Sequence, residues 1–253
     1  MDNLFSLENR IAVITGASRG IGEAIAHIFA RNGAHCVLVS RKIEGLEGVV
    51  SDIREKGGSA EAIACNVGDV DQIDALVAQI REKFGKLDII VNNAATNPYF
   101  GNMDGIDVPR WDKTFDVNLK GPFFLIQRSI ELLAASGKAS VINVSSINGK
   151  RPAPLQGVYS ITKAALISMT KGLAKELGAR NIRVNALLPG LTKTKFSAAL
   201  MADDGLLDEV YKTIPLGRHA IPDEMSGAAL YLASDASSFT TGTCLTCDGG
   251  ALA

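Results

Sequence analysis

The fold is indicated by residues 11–22, which read Ile-Ala-Val-Ile-Thr-Gly-Ala-Ser-Arg-Gly-Ile-Gly. The run Ile11–Thr15 is short, apolar and rich in β-branched residues, as expected of a buried strand. Glycines follow it at once, and apolar residues then recur with helical spacing over Ile21–Asn32. A strand that passes through glycines directly into a helix is typical of the first half of a β–α–β unit.

The rest of the chain repeats this alternation, with helical spacing again over Val70–Phe84 and Ala164–Leu177. Strands that are apolar on both faces and separated by amphipathic helices indicate a parallel sheet covered by helices on both sides. We therefore predict an α/β, doubly wound Rossmann fold with a parallel seven-stranded sheet of order 3-2-1-4-5-6-7. The predicted strands are Ile11–Thr15, His35–Ser40, Ala60–Ala64, Leu87–Asn92, Ala139–Ser145, Ile182–Leu188 and Thr243–Cys247.

Two segments are longer than ordinary connections, Thr96–Val108 and Leu191–Leu216. Each follows the carboxyl end of a predicted strand, and ligands of open α/β sheets bind beyond those ends. We predict a single Rossmann-type domain over residues 1–253, with a substrate-loop insertion at about 191–216.

Composition excludes several classes of protein. Of 253 residues, 25 are glycine, 47% are hydrophobic and 21% are charged, which is typical of a globular chain rather than a fibrous or disordered one. Lys and Arg total 26 against 27 Asp and Glu, so no excess of positive charge suggests a nucleic-acid partner. No stretch reaches the ~18 apolar residues of a membrane span, and the first residues do not resemble a signal peptide. We expect a cytoplasmic protein with no membrane partner.

The cysteines and histidines do not suggest a metal site. Cys244 and Cys247 form a C-x-x-C pair, but the chain has no second pair, and its three histidines are far away in sequence. We predict no metal and interpret the cysteines as packing residues in a reducing compartment. A redox-active pair is the alternative.

The segment Gly16–Gly22 has the properties of a dinucleotide-binding turn. A pyrophosphate needs a tight turn, close approach of the backbone and a helix N-terminus, and glycines permit the first two. The spacing is G-x-x-x-G-x-G, which differs from the longer G-x-G-x-x-G fingerprint, and a plain strand-to-helix connector is the alternative. The candidate cofactor-binding residues here are Gly16, Ser18, Arg19, Gly20, Ile21 and Gly22.

The end of the second predicted strand favours NADP(H) over NAD(H). NAD-binding folds carry an acidic residue about 20 positions beyond the glycines, whereas this chain reads Ser40-Arg41-Lys42. Arg41, Lys42 and Arg19 could hold a 2′-phosphate through charge-assisted hydrogen bonds. The alternative is that they are ordinary solvated loop cations.

Tyr159, Lys163 and Ser146 are candidates for chemistry. The four-residue spacing of Tyr159 and Lys163 puts both on one face of a helix. Ser146 follows a predicted strand and precedes Tyr159 by 13 positions. A Y-x-x-x-K pair alone is weak, but its combination with a nucleotide turn and a serine at a strand end is specific.

Over essentially its whole length, the chain resembles the short-chain dehydrogenase/reductase family. Some motifs also resemble those of the family's NADPH-dependent carbonyl and retinal reductases, namely residues 97–101, 111–114 and 189–194. The residues that carry the family resemblance are Thr15 to Gly22, Asn92-Asn93-Ala94-Ala95, Asn118, Ser146, Tyr159, Lys163, Pro189-Gly190 and Asp248-Gly249-Gly250.

The resemblance implies a catalytic set of Asn118, Ser146, Tyr159 and Lys163. Tyr159 is expected to act as the acid in reduction and the base in oxidation, while Ser146 polarises the substrate oxygen. Lys163 is expected to lower the phenol's pKa by its nearby positive charge and to bind the nicotinamide ribose. Asn118 is expected to join a water-linked proton relay with Lys163.

The resemblance also implies further cofactor contacts. Asn93, Ala94 and Ala95 would lie beside the adenine ribose, and Asn66 with Val67 beside the adenine. Asn66 departs from the usual Asp, but its side-chain oxygen can still accept the adenine's hydrogen bond. Ala95 stands where Gly is commoner. The expected carboxamide contacts are Pro189, Gly190, Thr192 and Thr194.

The substrate side is predicted to be apolar. Lys195–Leu207 offers the lid residues Phe196, Ala198, Ala199, Leu200, Met201, Leu206 and Leu207, and Tyr99, Phe100 and Met103 could add a wall. We predict reduction of a neutral, apolar ketone or aldehyde. The alternative is that these residues pack on the body of the protein or on a neighbouring subunit.

Other functions stay open. A 3-oxoacyl-thioester (acyl-carrier-protein) reductase would need a basic docking surface, for which Arg128, Lys171 and Lys175 are candidates. A non-catalytic dinucleotide-binding module would have no use for the complete catalytic set. The resemblance implies a homotetramer assembled partly through the helices around Val117–Ala135 and Tyr159–Leu177.

Overall fold

Seven parallel strands form one sheet in the computed structural model, which describes residues 4–201 and 204–253. Their spatial order is β3-β2-β1-β4-β5-β6-β7, which confirms the predicted topology. Register is continuous across the centre of the sheet, where Ile14 pairs with both Leu38 and Val91. The strands are β1 (Ile11–Thr15), β2 (His35–Ser40), β3 (Ser59–Ala64), β4 (Ile89–Asn92), β5 (Ala139–Val144), β6 (Ile182–Pro189) and β7 (Cys244–Cys247).

Helices cover both faces of the sheet. Neighbouring residues of β1 show the division: Ile14 packs in one cluster with Phe29 and Leu46, whereas Val13 packs on the other face with Ile80. The helices are α1 (Gly20–Arg31), α2 (Glu44–Glu55), α3 (Val70–Phe84), α4 (Val108–Phe115), α5 (Gly121–Ser136), α6 (Gly157–Leu177), α7 (Ala198–Met201), α8 (Asp204–Lys212) and α9 (Asp223–Ala233).

Local sequence explains the clear helix boundaries. Asp69 caps α3 by accepting hydrogen bonds from the N–H groups of Asp71 and Gln72, and Gly85 ends the helix with a φ of 68°. Helix α6 begins at Gly157, seven residues before the predicted Ala164. Tyr159 and Lys163 therefore lie in its first two turns.

Helices α4 and α5 are joined by a π-helical turn, Asp116–Lys120. Such turns are rare, widen the helix locally and often occur at functional sites. Asn118 lies at the centre of this turn, and no feature of the sequence predicted it.

The two cysteines of β7 cannot act as a redox pair. Residues three apart on a strand point to opposite faces of a sheet, and Cys244 packs beside Ala186 and Leu188 whereas Cys247 packs with the cluster on the α1 side. All four cysteines are free thiols, and burial raises the pKa of Cys36 to about 12. The packing interpretation is the better one.

The described parts of the chain contain neither a membrane-spanning helix nor a metal-binding cluster. No helix there is long and apolar enough to cross a bilayer. No group of three or more potential metal ligands occurs within residues 4–201 and 204–253.

Candidate active site

The turn between β1 and α1 leaves no room for side chains. Gly16 and Gly20 have φ values of 66° and 63°, in the left-handed region that favours glycine. A Cβ at Gly16 would lie 2.9 Å from the Cα of Ala94, and a Cβ at Gly22 would overlap the carbonyl oxygen of Gly16. Glycine is therefore required at these positions for the turn to close on itself and to pack against the end of β4.

Thr15 and Asn93 hold this turn against the end of β4. The Thr15 hydroxyl accepts hydrogen bonds from the N–H groups of Asn93 and Ala94, each at 3.0 Å. The Asn93 side-chain amide donates to the carbonyls of Thr15 and Gly16 at 3.0 and 3.2 Å. Asn93 thus uses both amide hydrogens to shape the turn, and Thr15 is a supporting residue whose role the sequence analysis missed.

The N-terminus of α1 is open to an anion. Its N-cap residue, Arg19, makes no side-chain capping bond, so the first N–H groups of this 12-residue helix have no side-chain partner there. Ser18 packs against the start of α2, where a Cβ at Gly45 would lie 3.2 Å from the Ser18 Cβ. Ile21 packs at the edge of the core cluster on this face.

Cations surround the turn on the β2 side. The N–H of Gly16 donates to the carbonyl of Val39 at 2.8 Å, which places the following residues, Ser40, Arg41 and Lys42, beside the turn. Arg19, Arg41 and Lys42 are exposed and form no ion pair within the described residues. The Ser40 hydroxyl donates to the carbonyl of Lys42 at 2.7 Å and fixes this loop.

The connection after β3 carries Asn66 and Val67. The Asn66 side-chain oxygen accepts a hydrogen bond of 3.3 Å from the N–H of Gly68. Its main-chain N–H donates to Gln72 at 2.8 Å. Val67 is buried with the core on the α3 side.

The exit from β6 reaches across to the glycine turn. Gly190 donates to the carbonyl of Cys247 at 2.9 Å, and a Cβ at Gly190 would lie 2.7 Å from the Cα of Asp248. The Thr192 hydroxyl donates to the carbonyl of Gly190 at 3.1 Å. A Cβ at Gly20 would lie 3.3 Å from the Cγ2 of Thr194. Residues Pro189 to Thr194 therefore border the same recess as the turn.

Ser146, Tyr159 and Lys163 come together beyond the carboxyl end of β5. The Ser146 hydroxyl lies close enough to the Tyr159 phenol to lower its pKa. The Lys163 Nζ lies 5.5 Å from the centre of the Tyr159 ring and donates to the carbonyl of Val144 at 2.8 Å. Tyr159 is 7% exposed and Lys163 2%. Tyr159 and Lys163 lie on one face of α6, as their four-residue spacing indicates.

Burial sets the pKa values of the pair, contrary to the sequence-based expectation. It raises the pKa of Tyr159 to about 12, opposed by the Ser146 hydrogen bond, and it lowers the pKa of Lys163 to about 7. A buried site penalises the charged form of each group, and for the phenol this effect exceeds the opposing effect of Ser146. The pKa of the phenol is therefore raised, instead of lowered as the sequence predicted from the Lys163 charge.

The Asn118 side chain is committed to the protein. It is 0% exposed; its oxygen accepts from the Thr96 N–H at 2.8 Å, and its amide donates to the Thr96 carbonyl at 2.9 Å. The second amide hydrogen goes to the Thr162 hydroxyl at 3.2 Å. These hydrogen bonds use both amide hydrogens of Asn118. If Asn118 takes part in a proton relay, it must therefore do so through its main-chain atoms.

Two further residues hold Lys163 in place. The Ser145 hydroxyl donates to the Lys163 main-chain carbonyl at 2.8 Å. A Cβ at Gly149 would lie 2.8 Å from the same carbonyl. In the sequence, the adjacency of Ser145 to Ser146 is the one signal that points to these contacts.

The substrate side is looser and more apolar. The Phe196 ring lies 5.2 Å from the Tyr159 ring and is 48% exposed. Met103 packs on Gly157 at the start of α6 and is 59% exposed, and Tyr99 packs on Gly101 and Gly105. The predicted lid side chains of Ala199, Leu200 and Leu206 lie outside the described side chains.

Comparison with known proteins agrees with this geometry. Residues 16–251 match the family described as Enoyl-(Acyl carrier protein) reductase. The chain is 38% identical to human Dehydrogenase/reductase SDR family member 4 over 96% of this chain and 88% of that protein. The chain belongs to the short-chain dehydrogenase/reductase family. Hydride transfer is the general chemistry of this family, with a nicotinamide dinucleotide as cofactor.

Relatives named for other activities also match this chain. The 3-oxoacyl-(acyl-carrier-protein) reductase of Thermotoga maritima is 37% identical over 96% of this chain and 98% of its own length. The solved structure of a gluconate 5-dehydrogenase from Burkholderia cenocepacia, in complex with NADP and tartrate, superposes with a TM-score of 0.94. It is 33% identical and covers 98% of this chain and 97% of its own.

Proposed function

We propose that this short-chain dehydrogenase/reductase transfers a hydride between NADP(H) and a carbonyl or alcohol, and that it reduces an apolar ketone or aldehyde. The observation that carries the proposal is the contact of Ser146, Tyr159 and Lys163 at the sheet edge that also bears the glycine turn. A non-catalytic binding module would have no need of this buried set.

The residues present fit a dinucleotide phosphate. The glycine turn Gly16 to Gly22 and the N-terminus of α1, for which the described residues supply no side-chain cap, suit the pyrophosphate. The cations Arg19, Arg41 and Lys42, which form no ion pair with any described residue, suit a 2′-phosphate. When bound in its reduced form, the dinucleotide supplies the hydride.

The protein's own groups manage the proton. Burial raises the pKa of the Tyr159 phenol to about 12, so the phenol is protonated at neutral pH and holds the proton that a carbonyl oxygen would receive. The Ser146 hydroxyl, which lies beside the phenol, would hold that oxygen within reach. Lys163 would stabilise the phenolate that results, and the main-chain carbonyl of Asn118 is the group left for a water-linked relay.

The apolar surroundings of Tyr159 favour an apolar substrate. Phe196 packs against the phenol ring. Met103 and Tyr99 lie in the loop between β4 and α4. The Thermotoga relative favours the second candidate, a 3-oxoacyl-thioester reductase. Its proposed docking surface is weaker, because Arg128 is already paired with Asp74 at 2.8 Å.

The test is loss of NADPH absorbance at 340 nm across a panel of aryl and alkyl carbonyls, 3-oxoacyl thioesters and keto-sugar acids. We expect the highest kcat/KM with the aryl or alkyl carbonyls. Higher kcat/KM with thioesters would select the second candidate, and higher kcat/KM with keto-sugar acids would overturn the apolar substrate.

We also propose one catalytic domain over residues 1–253, with 191–216 as its substrate-loop insertion, working in the cytoplasm as a homotetramer. The free cysteines are consistent with a reducing compartment. Exposed Trp111, Phe123 and Ile161, on α4, α5 and α6, would be covered by a second copy. Light scattering after size-exclusion chromatography tests the assembly, and a monomer would contradict it.

A further inference from the structure

Thr162 lies between two residues of the candidate active site. Its hydroxyl donates a hydrogen bond to the main-chain carbonyl of Tyr159 at 2.7 Å and accepts one from the Asn118 amide at 3.2 Å. Thr162 and Asn118 are both 0% exposed. Because buried hydrogen bonds are electrostatically stronger and costly to leave unmade, this link is expected to be rigid.

The hydrogen bonds of Asn118 extend this link to the loop after β4. Asn118 holds the main chain of Thr96 at both its N–H and its carbonyl. That loop continues from Ala94 and Ala95, which are candidate cofactor contacts. Thr162 therefore joins the first turns of α6 to the π-helical turn and, through it, to the cofactor side of the site.

Helix α6 contains a second link of the same kind, two turns further on. The Thr170 hydroxyl donates to the carbonyl of Leu166 at 2.8 Å and accepts from the Asn143 amide at 2.9 Å. Thr170 and Asn143 are also 0% exposed. The two pairs match in chemistry and burial, but only the Thr162 pair is attached to Tyr159.

We propose that Thr162 is a positioning residue for the reaction. By tying the Tyr159 main chain to Asn118 and Thr96, it sets the reach of the phenol toward Ser146 and the substrate oxygen. A displacement of about 1 Å in such a group can lower the rate about 100-fold. The proposal rests on the proposed carbonyl reduction.

The kinetic test compares Thr162→Val with Thr170→Val, since each change keeps the side-chain shape and removes the hydroxyl. We expect kcat to fall about 10- to 100-fold in Thr162→Val, with the KM for NADPH changed by less than about twofold. Thr170→Val should lower the melting temperature similarly and leave kcat within about twofold of wild type. Thr162→Ser, which keeps the hydroxyl, should stay within about threefold of wild type.

The pH dependence of kcat separates positioning from general stability. Its midpoint should move in Thr162→Val, because the phenol's place relative to Ser146 changes, and should not move in Thr170→Val. If Thr162→Val does not fold, the same measurements are made on Thr162→Ala, with Thr170→Ala as its control. Alanine is chosen because it is the most favourable residue in a helix. Equal losses at the two positions, or no recovery in Thr162→Ser, would overturn the proposal.

Crystal structures of the variants distinguish this inference from the proposed function. If wild type reduces no carbonyl in the panel, the proposed function fails. The distance between the Ser146 hydroxyl and the Tyr159 phenol should still be increased in the Thr162 variant and unchanged in the Thr170 variant. An unchanged distance in the Thr162 variant would overturn the positioning role by itself.

Discussion

The two sides of the site at the carboxyl edge of the sheet are built differently. The cofactor side is backbone packed on backbone, with Gly16 against Ala94 and with Thr15 and Asn93 bonded across the turn. The substrate side rests on half-exposed apolar side chains such as Phe196 and Met103. The cofactor is the same molecule in every turnover and suits a rigid cradle, whereas selectivity for a carbonyl is adjusted by replaceable side chains. Mutations on the two sides should therefore have effects of different size and kind.

The largest effect is expected at Tyr159, where the two sides meet. Tyr159→Phe removes the proton donor and keeps the ring, so kcat should fall about 1,000-fold or more while NADPH still binds. Initial rates and NADPH fluorescence titration measure the two quantities. Substantial residual turnover would refute the role of the phenol as acid and base.

The rigid side should tolerate very little. In Gly22→Ala the new methyl group overlaps the Gly16 carbonyl, so NADPH binding should weaken about 100-fold. The matched control is Gly48→Ala on α2, where a Cβ would meet no atom within 4 Å. Equal NADPH affinities for the two variants would show that the turn does not form the cradle.

The cations at the rim should affect one cofactor only. Arg41→Ala should raise the Kd for NADPH about tenfold and leave that for NADH nearly unchanged, because only NADPH carries a 2′-phosphate. Arg31→Ala, at the other end of α1, removes the same charge from an exposed position and serves as control. A wild-type preference for NADH would contradict the assignment of Arg41.

The substrate side should respond more mildly. Phe196→Ala should lower kcat/KM for an aryl ketone about fivefold, through loss of an aromatic contact, and leave NADPH binding unchanged. Phe196→Leu, which keeps an apolar group, should lose less. A loss confined to NADPH binding would place Phe196 on the cofactor side instead.

The smallest expected effect is on stability. Burial lowers the pKa of Lys163 from 10.5 to about 7, so between these values the unfolded chain binds this proton more tightly and folding is opposed. Lys163→Met should therefore melt about 2–6 °C above wild type at neutral pH. This cost to folding decreases as pH rises toward 10.5. The difference in melting temperature between Lys163→Met and wild type should therefore be smaller in alkaline buffer. If wild type melts at a higher temperature than Lys163→Met at every pH, this account is contradicted.

The sequence predicted the sheet well because its strands are apolar runs bounded by polar or glycine residues, as at Ile11–Thr15. Apolar spacing alone started this helix at Ala164, because residues 157–163 are mostly small or polar, whereas the Tyr159–Lys163 pair and the family resemblance extended it to Tyr159. Contacts between residues that are far apart in sequence could not be predicted from the sequence. The bond from Asn118 to Thr162 spans 44 positions, and no spacing rule brings the two together.

The pKa of Tyr159 shows a second limit. The four-residue spacing indicated that Lys163 lies near the Tyr159 ring, but spacing carries no information on how deeply the two side chains are buried. Burial of both groups reversed the expected direction. The site residues that lie in motifs were predictable, whereas their electrostatics depended on the packed structure.

The most direct test of the central claim follows the hydride itself. The protein is given NADPH deuterated at the transferable C4 position together with an aryl ketone, and the alcohol product is analysed by mass spectrometry. Our account predicts one deuterium on the carbinol carbon in the wild-type product and almost no product with Tyr159→Phe. Consumption of NADPH without deuterium in the alcohol, or equal yields from both proteins, would contradict it.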